Sequence, residues 1–414
     1  VLIKKQFMDE DNPRVYFRLF LIATCFALTG SVASLTVAAG SLVGHAIAAN
    51  KALATLPLVL KLVGTMTAGF PASLLMRKIG RRNGFIIGTF LGLIGALSGG
   101  YAILISHFAL FCASTFILGA MMGFNQLYRF AAVEVAGADF KAKAVSLVMV
   151  GGIVSGTLGP FIAAQGKDWI DHAPFAGGYL AIAGVYVVVV TILIFMDLPR
   201  PTQDEKKGQR RKFEEIATQH DLILAVVSAS VSYAVMAFIM TATPLAMNQR
   251  EYAFADTALV IQGHVMGMFL PSFFTGSLIQ RFGAPRMIAA GIVLNLVCIA
   301  INLHGETWWH FWTSLLFLGI GWNFMFISGT TLLTETYRPA EKAWVQGSND
   351  FLVFAMAASG SLLAGVMLNL IEWKELNLVA VPLLLVSIMT LVWHQSRKPS
   401  ESQKIPSVLS SSGN

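Results

Sequence analysis

The chain alternates between long apolar runs and short polar breaks. Twelve runs stand out, at roughly 16–44, 52–76, 84–105, 108–131, 143–165, 178–198, 221–247, 257–279, 286–304, 309–334, 342–370 and 375–394. Crossing a hydrocarbon core of about 30 Å takes about 20 mostly apolar residues. Inside lipid a backbone must satisfy its own hydrogen bonds, so each run is expected to be a helix. The residue-by-residue alternation of a membrane barrel is absent. The longest polar break between runs, "PRPTQDEKKGQRRKFEE" at 199–215, leaves six runs on either side. The pattern predicts an all-α integral membrane protein of twelve helices in two six-helix halves. Its parts are a first half at 1–198, a basic linker at 199–220 and a second half at 221–396, with a polar tail at 397–414 expected to be disordered.

Composition supports this picture. Only 12% of the 414 residues are charged and 56% are hydrophobic, against about 25% charged in soluble domains. The net charge of +7 could suggest nucleic acid, but its distribution says otherwise. Of 29 Lys and Arg residues, 23 fall in the tails and the loops on the same side as both ends, and only Lys51, Lys167, Arg250 and Lys374 fall in the opposite loops. That asymmetry predicts cytoplasmic termini and accounts for the basic balance without nucleic acid. Trp308, Trp309 and Trp312 fit an aromatic belt at the external interface. "VLIKKQFMDEDNPR" lacks the apolar core of a signal peptide.

Cys25, Cys112 and Cys298 each lie in an apolar run without CxxC or Cys/His spacing, so neither disulfides nor a metal site are expected. No GxxxxGK[ST] loop and no HExxH cluster occur, which argues against ATP drive, a membrane enzyme and any cofactor. A channel would want a ring of pore charges, which is missing.

The halves resemble each other weakly. "SLLMRKIGRR" after the second run reads against "GSLIQRFGAP" after the eighth, aligning Gly80 with Gly283. Leu118-Gly119 aligns with Leu318-Gly319, Glu134 with Glu335, and Lys143-Ala144 with Lys342-Ala343, all at offsets of 199 to 203. Such duplication is common in transporters and places the site between the halves. On these features the chain resembles the major facilitator superfamily over residues 16–394. The loop after the second run is similar to the family's G-x-x-x-D-R-x-G-R-R signature, keeping Lys78, Gly80, Arg81 and Arg82, while Ser73 replaces the glycine and Arg77 the aspartate. The second copy keeps Gly276, Arg281 and Gly283, with Gln280 in place of the acid. "GGIVSGTLGPFIAA" is similar to the family's antiporter motif, through Gly152, Gly156, Gly159 and Pro160. The resemblance implies a central cavity, a conformational role for these motif residues, and a lean toward export. Small residues four apart also serve tight helix packing in any transporter.

Charges at membrane depth are costly, at least about 2.5–3.5 kcal/mol each, and usually face a cavity and pair. Asp350 lies in the eleventh run with Gln346 a turn before it and Asn349 beside it; Lys61 lies in the second. The two have similar expected depths, and the family packs those helices across the interface between halves. Asp350 is therefore expected to face Lys61 as a proton- or substrate-linked switch, or as a fixed structural pair. Asn125, Gln126 and Arg129 make a polar face on the fourth run. Arg129 has the fork to hold a substrate anion, or else anchors to the interface, to Glu134 or to a carbonyl. Glu134 and Glu335 are expected to be solvated or interfacial, with Glu134 a weaker proton carrier. Family helices 1, 4, 7 and 10 surround the cavity. Helical spacing there selects Thr24, Ser31 and Ser34; Ser228, Ser232, Tyr233, Met236 and Met240; and Trp322, Asn323, Phe326, Thr330 and Thr334. Ordinary helix packing uses the same residue types. His45, His107 and His264 read as packing or interfacial residues, His264 being the one placed to titrate near neutrality.

The reading that follows is a monomeric secondary transporter moving a small amphiphilic organic molecule by alternating access, with proton-coupled efflux as its direction. The alternatives are proton-coupled uptake of a vitamin, siderophore or other metabolite, and a non-transporting sensor on the same fold.

Overall fold

The computed structural model describes residues 13–50, 53–54, 56–137, 140–368 and 370–397. Among them, twelve helices are long and apolar enough to cross a membrane. They are α1 (Pro13–Ile47), α2 (Leu56–Ile79), α3 (Arg81–Leu104), α4 (Phe108–Ala136), α5 (Lys141–Gly166), α6 (Ala176–Phe195), α7 (His220–Gln249), α8 (Ala255–Phe282), α9 (Ala284–His304), α10 (Trp308–Leu333), α11 (Lys342–Met367) and α12 (Trp373–Arg397). The all-helical membrane architecture expected from the sequence is the one observed. Three spans are interrupted. The break in α4 falls at Gln126–Leu127. That in α8 falls at Pro271, which has no backbone N–H to give. That in α12 falls at Ala380, two residues before Pro382. The expected tail lies outside the described residues beyond Arg397.

Within the first six spans, α1 packs on α5, α2 on α4, and α3 on both α4 and α6. Within the last six, α7 packs on α10 and α11, and α10 on α8 and α9. The halves meet through α2 against α11 and α5 against α8. Small residues set these distances. A methyl on Gly119 of α4 would stand 2.0 Å from the Lys61 carbonyl oxygen of α2. Its repeat partner does the same task in the second half: a methyl on Gly319 of α10 would stand 2.5 Å from the His264 carbonyl oxygen of α8. The repeated Leu-Gly pair is thus a repeated helix contact. Gly80 (φ 90°) and Gly283 (φ 83°) turn the chain between α2 and α3 and between α8 and α9, in a backbone region other residues rarely adopt.

The α5 motif is spent on contacts. Gly152 lies against the Phe269 ring and Gly156 against Val265, both on α8, while Gly159 lies against the backbone of Ser31 on α1. Pro160 sits within α5 and is exposed.

Candidate functional site between the halves

The side of the bundle that carries the described chain ends, Pro13 and Arg397, is called the terminal side below. Asp350 stands eight residues into α11 from that side. Its Oδ1 accepts from Arg129 Nη2 of α4, in an ion pair whose side chains are both 1% exposed. Asn349 Nδ2 also donates to Oδ1, at 3.0 Å, and Arg129 Nη1 donates to Gln126 Oε1 at 3.1 Å. The interruption of α4 at Gln126 lies one turn before Arg129. Arg129 also lies over the rings of Phe130 and Phe326, at 4.6 and 4.7 Å.

The expected Asp350–Lys61 contact does not form. Asp350 lies beside Gly69 of α2, which is two turns from Lys61, about 12 Å of helix rise. Lys61 sits only five residues from the start of α2, so it is far shallower than its position in a longer predicted run implied. Its Nζ donates to the Ala33 carbonyl of α1 at 3.2 Å. Arg129, expected to hold a substrate anion or to anchor elsewhere, supplies the cation instead.

An aromatic stack adjoins the pair. Phe326 and Trp322 of α10 stack at 5.0 Å with planes 16° apart, and Tyr233 of α7 meets both edge-on at 5.0 and 5.1 Å. Phe354 of α11 and Phe269 of α8 flank it. Trp322 and Phe326 are fully buried, whereas Tyr233 and Phe269 keep partial exposure. Phe269 and Phe354 were missed from sequence, because a phenylalanine in an apolar run carries no polar signal.

Other expected cavity residues do different work. Asn125 Nδ2 donates to the Phe26 carbonyl (3.0 Å) and Thr29 Oγ1 (2.5 Å), which fastens α4 to α1. Asn323 is saturated by Met268, Ser272 and Thr275, which fastens α10 to α8. Ser228 donates to the Met325 carbonyl. These amides and hydroxyls bind helices together because a polar group in lipid is satisfied by the nearest neighbour. Met236 is buried, and Thr330 is buried with its Oγ1 lacking a hydrogen-bond partner.

Toward the terminal side, a second polar layer crosses the halves. Arg81 of α3 donates to Glu134 Oε1 at 2.7 and 3.0 Å and to Gln346 Oε1 of α11 at 2.6 Å. Gln346 Nε2 donates to Tyr337 Oη at 2.7 Å, and Lys342 reaches Glu134 at 3.2 Å. Gln346 is therefore a fastening residue here, and Glu134 is enclosed by two cations instead of being solvated. Arg82 donates to the Leu193 and Ile194 carbonyls of α6, Lys78 is exposed, and Arg281 lies exposed over Phe282.

The linker joins this layer. Two short helices, Gln203–Lys207 and Phe213–Ala217, lie between the halves. Arg77, at the family's aspartate position, donates to the Glu205 and Lys206 carbonyls at 2.6 and 2.7 Å. The Glu205 carboxylate takes Lys342 at 2.8 Å. Arg211 grips Glu341 through its backbone N–H, Nε and Nη2, at 2.8, 3.0 and 2.6 Å. Glu341 is buried, and burial alone would raise its pKa; Arg211 and the Arg338 and Arg211 backbone N–H groups hold it down to about 2 instead. Its contribution to stability is therefore present above the ordinary value of 4.5 and lost as pH falls toward about 2. Glu341→Gln is expected to cost on the order of 2–3 kcal/mol at pH 7. The gap from wild type should close between pH 4.5 and 2, as read by thermal unfolding of purified protein across pH.

Arg129–Asp350, Lys342–Glu134 and Arg81–Gln346 all join the halves on the terminal side. Twelve spans in two packed halves, fastened through a buried ion pair beside an aromatic stack, define an integral membrane bundle with a polar candidate site between its halves. The chain belongs to the Major Facilitator Superfamily, whose family model matches residues 19–270 and 224–411, and it is a transporter. It is 37% identical over 376 residues to the riboflavin transporter RfnT of Brucella anthropi, covering 90% of this chain and 94% of that protein. It is 29% identical over 405 residues to the MFS-type transporter YdeG of Bacillus subtilis, covering 94% of each. Its fold matches FucP in the outward conformation (TM-score 0.70, 16% identity, 92% of this chain and 99% of that one). It also matches the human organic anion transporter MFSD10 (TM-score 0.72, 13% identity, 92% and 100%).

Proposed function

We propose that this transporter imports riboflavin or a closely similar flavin, coupled to protons, across a bacterial plasma membrane in which both termini are cytoplasmic. The observation that carries the reading is the buried Arg129–Asp350 pair lodged against the Phe326–Trp322 stack. Flat aromatic walls with a few fixed polar groups suit a planar heteroaromatic molecule. The 37% relative named a riboflavin transporter supports that substrate. The positive terminal side supports the orientation. Ionised Asp350 holds Arg129 and keeps the halves together on the terminal side. Protonation cancels that attraction and lets them part there. Efflux is the weaker direction, because the α5 glycines that suggested it are occupied in packing on α8 and α1. Glu134 is held by Arg81 and Lys342, so it serves as a gate residue instead of a proton carrier.

The test is purified protein in liposomes carrying an internal pH dye, challenged with an external riboflavin gradient. Riboflavin entry with internal acidification is expected. Internal alkalinisation would establish exchange of riboflavin for protons, and flavin movement without a pH change would remove the proton coupling. No flavin movement would overturn the substrate.

A further inference from the structure

The Arg129–Asp350 pair is made through a single contact, Nη2 to Oδ1. An arginine and a carboxylate commonly meet through two parallel bonds. Here Nη1 is taken by Gln126, and one donor of the guanidinium and one oxygen of the carboxylate are left idle. Arg129 Nε and Asp350 Oδ2 are buried and lack a hydrogen-bond partner. One ion pair therefore offers a free donor and a free acceptor. Both are enclosed, with each side chain 1% exposed, where an unsatisfied polar group is costly, and more so when charged. The guanidinium also lies 4.7 Å from the centre of the Phe326 ring, and Phe326 stacks on Trp322. Trp322 Nε1 and Thr330 Oγ1 are likewise buried without partners.

We infer that Arg129 and Asp350 read the edge of a ring amide, in which an N–H stands directly beside a carbonyl. Asp350 Oδ2 accepts the N–H and Arg129 Nε donates to the carbonyl, while the ring lies against the Phe326–Trp322 stack. The inference rests on the flavin reading and deepens it, because a flavin carries this edge in its pyrimidinedione ring, at N3–H between two carbonyls. Trp322 Nε1 remains as a donor for a second acceptor of the bound molecule. The ligand completes an ion pair that the protein leaves half made, so recognition and the charge that couples the halves reside in the same two side chains. A site that must satisfy buried polar atoms discriminates strongly against analogues that cannot do so.

Binding of riboflavin, 3-methylriboflavin and lumichrome to purified wild-type protein, read by tryptophan fluorescence quenching, tests this. 3-Methylriboflavin lacks the N–H, and lumichrome keeps the edge without the sugar-alcohol chain. Riboflavin and lumichrome are expected to compete, and 3-methylriboflavin to bind at least about 100-fold more weakly. Arg129→Lys keeps a cation for Asp350 but has no Nε; it is expected to weaken riboflavin by about tenfold or more while thermal unfolding stays near wild type. Equal binding of 3-methylriboflavin, or unchanged riboflavin affinity in Arg129→Lys, overturns the edge and leaves flavin transport standing. Failure of lumichrome to compete while riboflavin binds moves recognition to the sugar-alcohol chain and also overturns it. Absence of riboflavin binding overturns both readings.

Discussion

Asp350→Ala is expected to abolish transport and to destabilise the purified protein by about 3–5 kcal/mol. The substitution leaves Arg129, 1% exposed, as a buried cation facing a cavity. Asn349 loses its acceptor, and Arg129 keeps only Gln126 Oε1. Replacing both partners, Arg129→Met with Asp350→Leu, removes the charges together. Buried ion pairs replaced by apolar residues of similar volume are often neutral or more stable. The double variant is therefore expected to recover most of the lost stability, short of what Gln126 and Asn349 lose, while transport stays absent. Thermal unfolding in detergent and flavin uptake in liposomes read the two effects separately. Transport in the double variant would show that the charges do not couple the halves.

Gly119→Ala is expected to have a comparable effect on the fold by a different route. The added methyl would stand 2.0 Å from the Lys61 carbonyl oxygen, where backbone cannot yield as a side chain tip can. The α2–α4 contact must open along its length. Overpacking of this kind costs about 1–3 kcal/mol and sometimes more, and here the clash is with main chain, so the upper end is expected. Loss of the folded peak on size-exclusion chromatography is the measurement. Gly184→Ala, which meets nothing within 4 Å, should behave as wild type.

The fold was legible because lipid leaves a chain few choices. Apolar length gives the helix. The repeat was legible in Leu118-Gly119 and Leu318-Gly319, since a close helix approach demands glycine in both halves. Arg129 and Asp350 stood out as charges in apolar runs, but which of them pairs was not legible. Lys61 and Asp350 had matching depths only while the start of α2 was placed too early, and four residues of helix shift a charge by about 6 Å. Asn125 and Asn323 looked like cavity amides because a sequence does not say whether a neighbouring helix already uses them. Arg77 was visible as a departure from the family's aspartate, yet its partners are backbone carbonyls of the linker, which leave no trace in side-chain identity.

The linker's fastenings also set a limit on travel. Arg77 belongs to the first half and holds the chain at Lys206, whereas Glu341 belongs to the second half and holds it at Arg211. Lys342 of the second half also holds Glu205, beside the Arg77 anchor; once that contact is released, only the stretch from 206 to 211 is free to extend between the two anchors, at most about 18 Å when drawn straight. While both anchors hold, the distance the halves can open on that side is governed by these few residues, whatever the length of the whole connection. Inserting glycine and serine between Lys207 and Arg210 lengthens the stroke without touching either half, whereas the same insertion before Thr202 leaves it unchanged.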